Sequence, residues 1–126
     1  MNTFSAVFNH ISLHVSDVEK SVRFYTQLLG MKQVPRPDFD FDGAWISMGN
    51  GLTLHLIAGK NYEPQAGNRS NHFAFTYPDI NALEKEFAGK GVEIFTNKIR
   101  VDGIHQMFIK DPDGYYIEFN EDLAAL

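Results

Sequence analysis

The strongest constraint on this chain is an internal repeat about half its length. An Asn-His pair opens an alternating apolar stretch twice, at Asn9-His10 and at Asn71-His72. His10 and His55 lie 55 − 10 = 45 residues apart, and His72 and Glu118 lie 118 − 72 = 46 apart. Four side chains able to bind a metal therefore fall at equivalent places in two half-chains. The repeat also holds away from those residues. ISLHVSDVEKSVRFYTQLLGM follows His10 and FAFTYPDINALEKEFAGKGVE follows His72, with Asp17 and Asp79 offset by 79 − 17 = 62 residues, as the two histidines are. Asp42-Gly43 and Asp102-Gly103 then precede the strands that lead to His55 and Glu118. A unit this long does not build a solenoid; it implies duplication of one supersecondary module and pairing of the two copies.

Each copy reads as βαβββ. His10, Ser12 and His14 alternate with Asn9, Ile11, Leu13 and Val15, the period of a strand with one polar and one dry face. The next helix can start at Ser16 or Asp17, with Glu19 three residues after Ser16 as a capping-box partner. Val18, Val22, Tyr25 and Leu29 recur at helical spacing, and Gly30 stops the helix. Two prolines in VPRPDFDF, residues 34–41, deny that segment a central sheet position and leave it a loop or an edge. AWISM and LTLHLIA are strands joined by Gly49-Asn50-Gly51, whose residues tolerate positive φ. The polar stretch 59–70 is the linker between halves. The second copy runs through HFAFTY, a helix from about Ile80 to Gly89, strands near VEIFT and through HQMFIK, the turn Asp111-Pro112-Asp113-Gly114, and the strand YYIEFN. The expected class is α+β: two tandem βαβββ modules, about 5–58 and 71–122, in a single domain over residues 1–126.

At 126 residues the chain is long enough to bury roughly 65–70% of its unfolded surface. It has no cysteine, which excludes a disulfide framework and thiolate chemistry and points to a reducing compartment. No basic leader with an apolar core and no run near ~20 apolar residues is visible, so the expected location is cytoplasmic. The formal net charge of −5, with Lys and Arg scattered, argues against nucleic acid or an anionic membrane as partner.

Strand alternation puts the four candidates on polar faces: His10 with Ser12, His55 with Thr53, His72 with Ala74 and Thr76, and Glu118 with Tyr116 and Asn120. A lone mid-strand histidine is ordinarily a core or surface residue. Three histidines and a carboxylate at repeat-equivalent positions instead make a mixed N/O set suited to a divalent metal such as Zn, Ni, Co, Mn or Fe. His14 shares the face of His10 and is a candidate for lining a pocket or orienting a ligand. Arg36, Lys98, Arg100 and His105 are candidates to meet an anionic substrate, although the usual exposure of such residues favours solvated charges. For Trp45, Phe39, Phe41 and Tyr116, packing competes with a role as pocket wall.

The stretches NHISLHVSDVEKSVRFYTQLLGM, NHFAFTYPDI and DPDGYYIEF span nearly the whole chain. They resemble the vicinal oxygen chelate superfamily, the group of glyoxalase I, bleomycin resistance proteins and extradiol dioxygenases. The resemblance implies two modules forming a curved, cup-shaped mixed sheet with helices outside, around a metal held from the first and last strands of each module. Carried over residue by residue, it gives His10, His55, His72 and Glu118 as ligands. It further implies a glyoxalase I-like lyase or isomerase acting on a small oxygenated substrate through metal-stabilised enediolate chemistry, with Glu118 moving the proton. It implies a homodimer whose sites take His10 and His55 from one subunit and His72 and Glu118 from the other. RPDFDFDGAW resembles a glyoxalase I-like subgroup with histidine at the second ligand place. Well-studied glyoxalase I enzymes carry a glutamate there. Because a metal-bound imidazole has no lone pair left for base chemistry, Glu118 has to serve as both ligand and base. Three alternatives stay open: an extradiol-type dioxygenase using only His10, His72 and Glu118 around iron; an epoxide-opening or thiol-transferring antibiotic-resistance enzyme with a similar trio; and a non-catalytic small-molecule binding protein resembling the bleomycin-sequestering members.

Overall fold

The computed structural model describes residues 4–59 and 63–125. Within the expected linker, Lys60, Asn61 and Tyr62 lie outside the described residues. The chain divides into two units, Met1–Pro64 and Gln65–Leu126, and the division falls inside that linker. Each unit carries one βαβββ module, as the repeat predicts.

The first unit contains β1 (His10–His14), α1 (Val18–Arg23), β2 (Gln33–Val34), β3 (Gly43–Gly49) and β4 (Leu52–Ile57). Its sheet order is β1-β4-β3-β2, with β1 parallel to β4 and the other pairs antiparallel. Asp17, in extended conformation, caps α1 by accepting from the Lys20 backbone N at 3.1 Å. The helix then continues as a π turn over Phe24–Leu28, where the Leu29 N–H donates to Phe24 O five residues back. The expected apolar stripe is only partly the buried face. Ser21, Phe24 and Tyr25 are buried, whereas Val18, Val22 and Leu29 are only half-buried; i→i+5 bonding widens the helix and re-aims Leu29, which follows it. Ile46, Leu54 and Leu56 are fully buried on the sheet, each contributing about 1.5–3 kcal/mol of transfer free energy. The β3–β4 turn places Gly49, Asn50 and Gly51 at φ of 87°, 53° and 79°, a run of left-handed residues that only Gly and Asn adopt readily. The proline-bearing segment contributes only Val34 to the two-residue edge strand β2 and is otherwise irregular, as its composition requires.

The second unit contains β5 (His72–Thr76), α2 (Ile80–Gly89), β6 (Ile94–Ile99), β7 (His105–Lys110) and β8 (Tyr116–Asn120). Sheet order is β5-β8-β7-β6, with β5 parallel to β8. Asp79 repeats the role of Asp17, accepting from the Ala82 backbone N at 3.0 Å. Ile80, Leu83 and Phe87 form the buried face of α2, and Phe87 meets Phe119 edge-on at 5.4 Å between centroids. The strand expected near VEIFT begins later, at Ile94. Val92 is instead spent on ending the helix: it is buried and its N–H donates to Phe87 O at 2.9 Å. In the turn before β8, the Asp111 carboxylate accepts from the backbone N of both Asp113 and Tyr115, each at 2.9 Å. Among the described residues no helix is long and apolar enough to cross a membrane.

Candidate functional site

Strand register turns the sequence repeat into a spatial one. In the first unit His55 on β4 sits opposite Ser12 on β1, two residues beyond His10. In the second, Glu118 on β8 sits opposite Ala74 on β5, two residues beyond His72. Cross-strand partners share a sheet face, and so do residues two apart along a strand. His10 and His55 therefore share one face, as do His72 and Glu118, at the same offset in both parallel pairs. Each unit brings one pair together. Among the described residues, no group of three or more His, Asp or Glu side chains comes close enough together to hold a metal ion.

The second pair is the more preset. His72 Nδ1 lies 2.8 Å from the Arg69 carbonyl oxygen, an acceptor, so the ring proton belongs on Nδ1 and the lone pair on Nε2. That Nε2 faces Glu118 Oε1 at 3.1 Å. Two lone-pair atoms at this distance repel unless a proton or a cation lies between them. Donors bonded at roughly 2.0–2.2 Å to one ion stand about 3.0–3.4 Å apart, so the spacing fits a divalent metal. The other carboxylate oxygen of Glu118 accepts from Asn120 Nδ2 at 2.6 Å and lies 3.6 Å from Arg100 Nη1. The carboxylate is buried and pinned at both ends. Phe108, directly across from Glu118 on β7, presents its ring edge-on to His72 at 5.0 Å.

The first pair is held differently. His10 Nδ1 lies 2.6 Å from Asn9 Oδ1, which leaves Nε2 as the candidate ligand atom. His55 is clasped between two rings, with His10 at 3.9 Å and 12° on one side and Trp45 at 4.1 Å and 4° on the other. Its Nε2 is engaged by Thr53 Oγ1 at 2.9 Å, so coordination through Nε2 requires the threonine hydroxyl to give way. Burial, then the neighbouring His10, then Arg36 hold the His55 pKa below its ordinary value, which favours the neutral, ligand-competent ring. The donor set of both pairs, imidazole nitrogens with one carboxylate, suits a divalent transition metal.

Several partners escaped the sequence reading. The repeated asparagines do different work: Asn9 orients His10, but His72 is oriented by Arg69 O, while the Asn71 N–H donates to Asn68 O. Arg69 sits in the polar linker stretch, where no periodicity marks it. Trp45 emerges as the cross-strand neighbour of His55, with packing and site roles in one residue. Phe39 and Phe41 stack on each other, and the Arg36 guanidinium lies 4.9 Å from each ring centroid. His14 lines a separate small cleft with Asp40, Phe41 and Ile57. His105 is not part of either ligand pair; it pairs with Glu121 at 2.9 Å and with Asn97 at 2.5 Å. Lys98 and Arg100 do reach the His72–Glu118 pair, lining the same cleft of about 600 Å³.

A family model described as the Glyoxalase/Bleomycin resistance protein/Dioxygenase superfamily matches residues 7–119. The chain is 31% identical to a lactoylglutathione lyase of Pseudomonas putida, over 92% of this chain and 85% of that protein. It is also 31% identical to the glutathione transferase FosA of Serratia marcescens, over 89% of this chain and 78% of the relative. The structure of TnmS3, an antibiotic binding protein from Streptomyces sp. CB03234, shares the fold with a TM-score of 0.78 at 21% identity, covering 94% of this chain and 98% of that one. Lyase, transferase and binding protein thus share one scaffold, and the site must decide between them. With a family match across both modules and the His10–His55 and His72–Glu118 pairs at equivalent register, the chain belongs to the glyoxalase/bleomycin resistance protein/dioxygenase superfamily.

Proposed function

We infer that the chain is a divalent-metal-dependent lyase or isomerase of the glyoxalase I type, acting in the cytoplasm on a small oxygenated substrate. The observation that carries this reading is the convergence of His72 Nε2 and Glu118 Oε1 at 3.1 Å, repeated in register by His10 and His55. In this reading the two modules act as one domain, with His10, His55, His72 and Glu118 as metal ligands. A first module of one subunit faces a second module of its partner in a homodimer.

When bound, a divalent ion would polarise substrate oxygens and stabilise the negative charge that forms beside them. The chain's own residues do the rest. Glu118 is the one carboxylate among the residues lining the second-unit cleft, so it is the group placed to take a proton from substrate carbon and return it to the neighbouring carbon. Asn120 and Arg100 hold its Oε2, which leaves Oε1 as the oxygen presented to the site. Arg69 O keeps His72 in the tautomer that presents Nε2. Phe108, buried beside the pair, excludes water from one wall.

One observation favours a second reading. His55 is committed to two ring stacks and to Thr53, which suits a site using only His10, His72 and Glu118, the trio of non-haem iron oxygenases and of a thiol-transfer or epoxide-opening enzyme.

The test is metal analysis of the purified protein followed by assays with hemithioacetal, catechol and epoxide substrates. About one divalent ion per chain is expected, with proton-transfer turnover of the hemithioacetal that disappears in Glu118→Gln. Full turnover in Glu118→Gln would eliminate the catalytic role. Oxygen uptake with catechol, and metal retention in His55→Ala, would move the assignment to the three-ligand enzymes. The dimeric site is tested by mixing subunits lacking His10 and His55 with subunits lacking His72 and Glu118. A shared site is rebuilt in the heterodimer; no recovery after subunit exchange rules sharing out.

A further inference from the structure

The second-unit cleft is cationic in a protein whose formal charge is −5. Three cations, Arg69, Lys98 and Arg100, line it together with His72, Glu118 and the buried Gln106. The register explains their convergence. Lys98 on β6 pairs with Gln106 on β7, which pairs with Asn120 on β8; one step along the same face, Thr96 pairs with Phe108 and Phe108 with Glu118. Arg69 reaches the same face from the segment before β5, its guanidinium 5.8 Å from the Phe108 ring centroid and its Nη1 3.4 Å from Thr96 Oγ1.

Arg100 is paired with Asp102 at the rim, but Arg69 and Lys98 are not neutralised in place. Glu118 is the cleft's carboxylate; its Oε2 is taken by Asn120 and Arg100, and its Oε1 faces His72 Nε2. Arg100 is steered inward: Asp102 engages its Nε at 3.0 Å and its Nη2 at 2.5 Å, leaving Nη1 toward Glu118. Among the described residues, neither Arg69 nor Lys98 has a carboxylate partner. Uncompensated cations in a concave surface repel one another and focus the potential on the space between them. A compact anion there relieves that repulsion, and guanidinium groups match its oxygens in fork geometry.

We propose that the substrate carries a compact anionic group, a carboxylate or a phosphate, which Arg69 and Lys98 hold while Arg100 closes its inner side, beside His72 and Glu118. The proposal rests on the reading of His72 and Glu118 as the reaction centre and makes Arg69 and Lys98 specificity residues of it. It excludes neutral diols and uncharged quinones as preferred substrates.

The experiment is titration of the full-length protein with inorganic phosphate and, separately, with malonate, in metal-free and metal-loaded form, by calorimetry at low ionic strength. Saturable binding of at least one anion is expected in both forms, weakened about ten-fold by Arg69→Ala and by Lys98→Ala and unchanged by Lys85→Ala on the exposed side of α2. Binding of phosphate alone assigns a tetrahedral group, and of malonate alone a carboxylate. No saturable binding of either anion, or equal weakening by Lys85→Ala, overturns the proposal. Failure of the protein to take up any divalent ion on titration with Zn or Co, with anion binding and its loss in Arg69→Ala retained, would instead overturn the metal-dependent reading and leave this cleft assigned, so the two failures are separable.

Discussion

His55 lies between two nearly parallel rings, and replacing it with alanine removes both contacts at once. Its centroid is 3.9 Å from that of His10 and 4.1 Å from that of Trp45. An aromatic pair contributes about 0.5–1.5 kcal/mol beyond its buried area, so two pairs contribute about 1–3 kcal/mol. The Thr53 hydrogen bond adds about 0.5–1.5 kcal/mol. His55→Ala should therefore cost about 1.5–4.5 kcal/mol, a large share of the roughly 5–15 kcal/mol that holds a domain folded. The assay is urea denaturation of metal-free protein in chelator at pH 8, followed by circular dichroism because Trp45 is the single tryptophan. A double-mutant cycle with Trp45→Ala isolates the stacking energy, expected at about 0.5–1.5 kcal/mol. The sign with pH is fixed by the lowered pKa of His55. The unfolded ring takes a proton near 6.5 and the folded ring resists it, so stability is lost as pH falls from there through the folded value. The advantage of wild type over His55→Ala must then shrink toward pH 5.5. A coupling under about 0.3 kcal/mol at pH 8, or an advantage that does not change with pH, would refute the reasoning.

Other outcomes follow from the same geometry. Asp17→Ala and Asp79→Ala should each cost about 0.5–2 kcal/mol in denaturant melts, and a harmless change at either would break the equivalence of the two caps. Phe87→Ala, which empties a site 1% exposed against Phe119, should cost about 3–5 kcal/mol; a loss under about 1.5 kcal/mol would show that the cluster can collapse around the gap. The Arg100 hydrogen bond holds the Asp102 pKa at about 2 against an ordinary 3.8. The pair is therefore intact above 3.8 and lost as pH falls through about 2. Carbon-detected NMR of the Asp102 carboxyl in Arg100→Gln should show the midpoint rising toward 3.8, and an unmoved midpoint would remove Arg100 as the cause.

How much of this was legible in the sequence differs from element to element. Asp17 and Asp79 announce their caps because an N-cap is decided within three residues. The equivalence of His10–His55 and His72–Glu118 was readable because a duplicated module preserves both spacing and strand parity, and the register bears out that parity. The π turn over Phe24–Leu28 carries no signal of its own, since the same residues satisfy an α-helical pattern. The clasp of His55 by Trp45, the orientation of His72 by Arg69 O and the gathering of Arg69 with Lys98 and Arg100 depend on cross-strand register and on loop paths. Those are tertiary facts that no local pattern encodes. Lys98 and Arg100 looked like ordinary solvated charges for that reason, and only the sheet shows that they share a cleft.

In the proposed function, two register-equivalent pairs supply one divalent metal site. Its most direct test is metal affinity and stoichiometry, measured by equilibrium dialysis with Zn and Co, for wild type and two double variants: His10→Ala with His55→Ala, and His72→Ala with Glu118→Ala. About one ion per chain is expected in wild type, with a loss greater than about 100-fold in either variant, since even partners that only orient a ligand contribute 10–100-fold. Wild-type affinity in a folded variant that lacks one whole pair would contradict it.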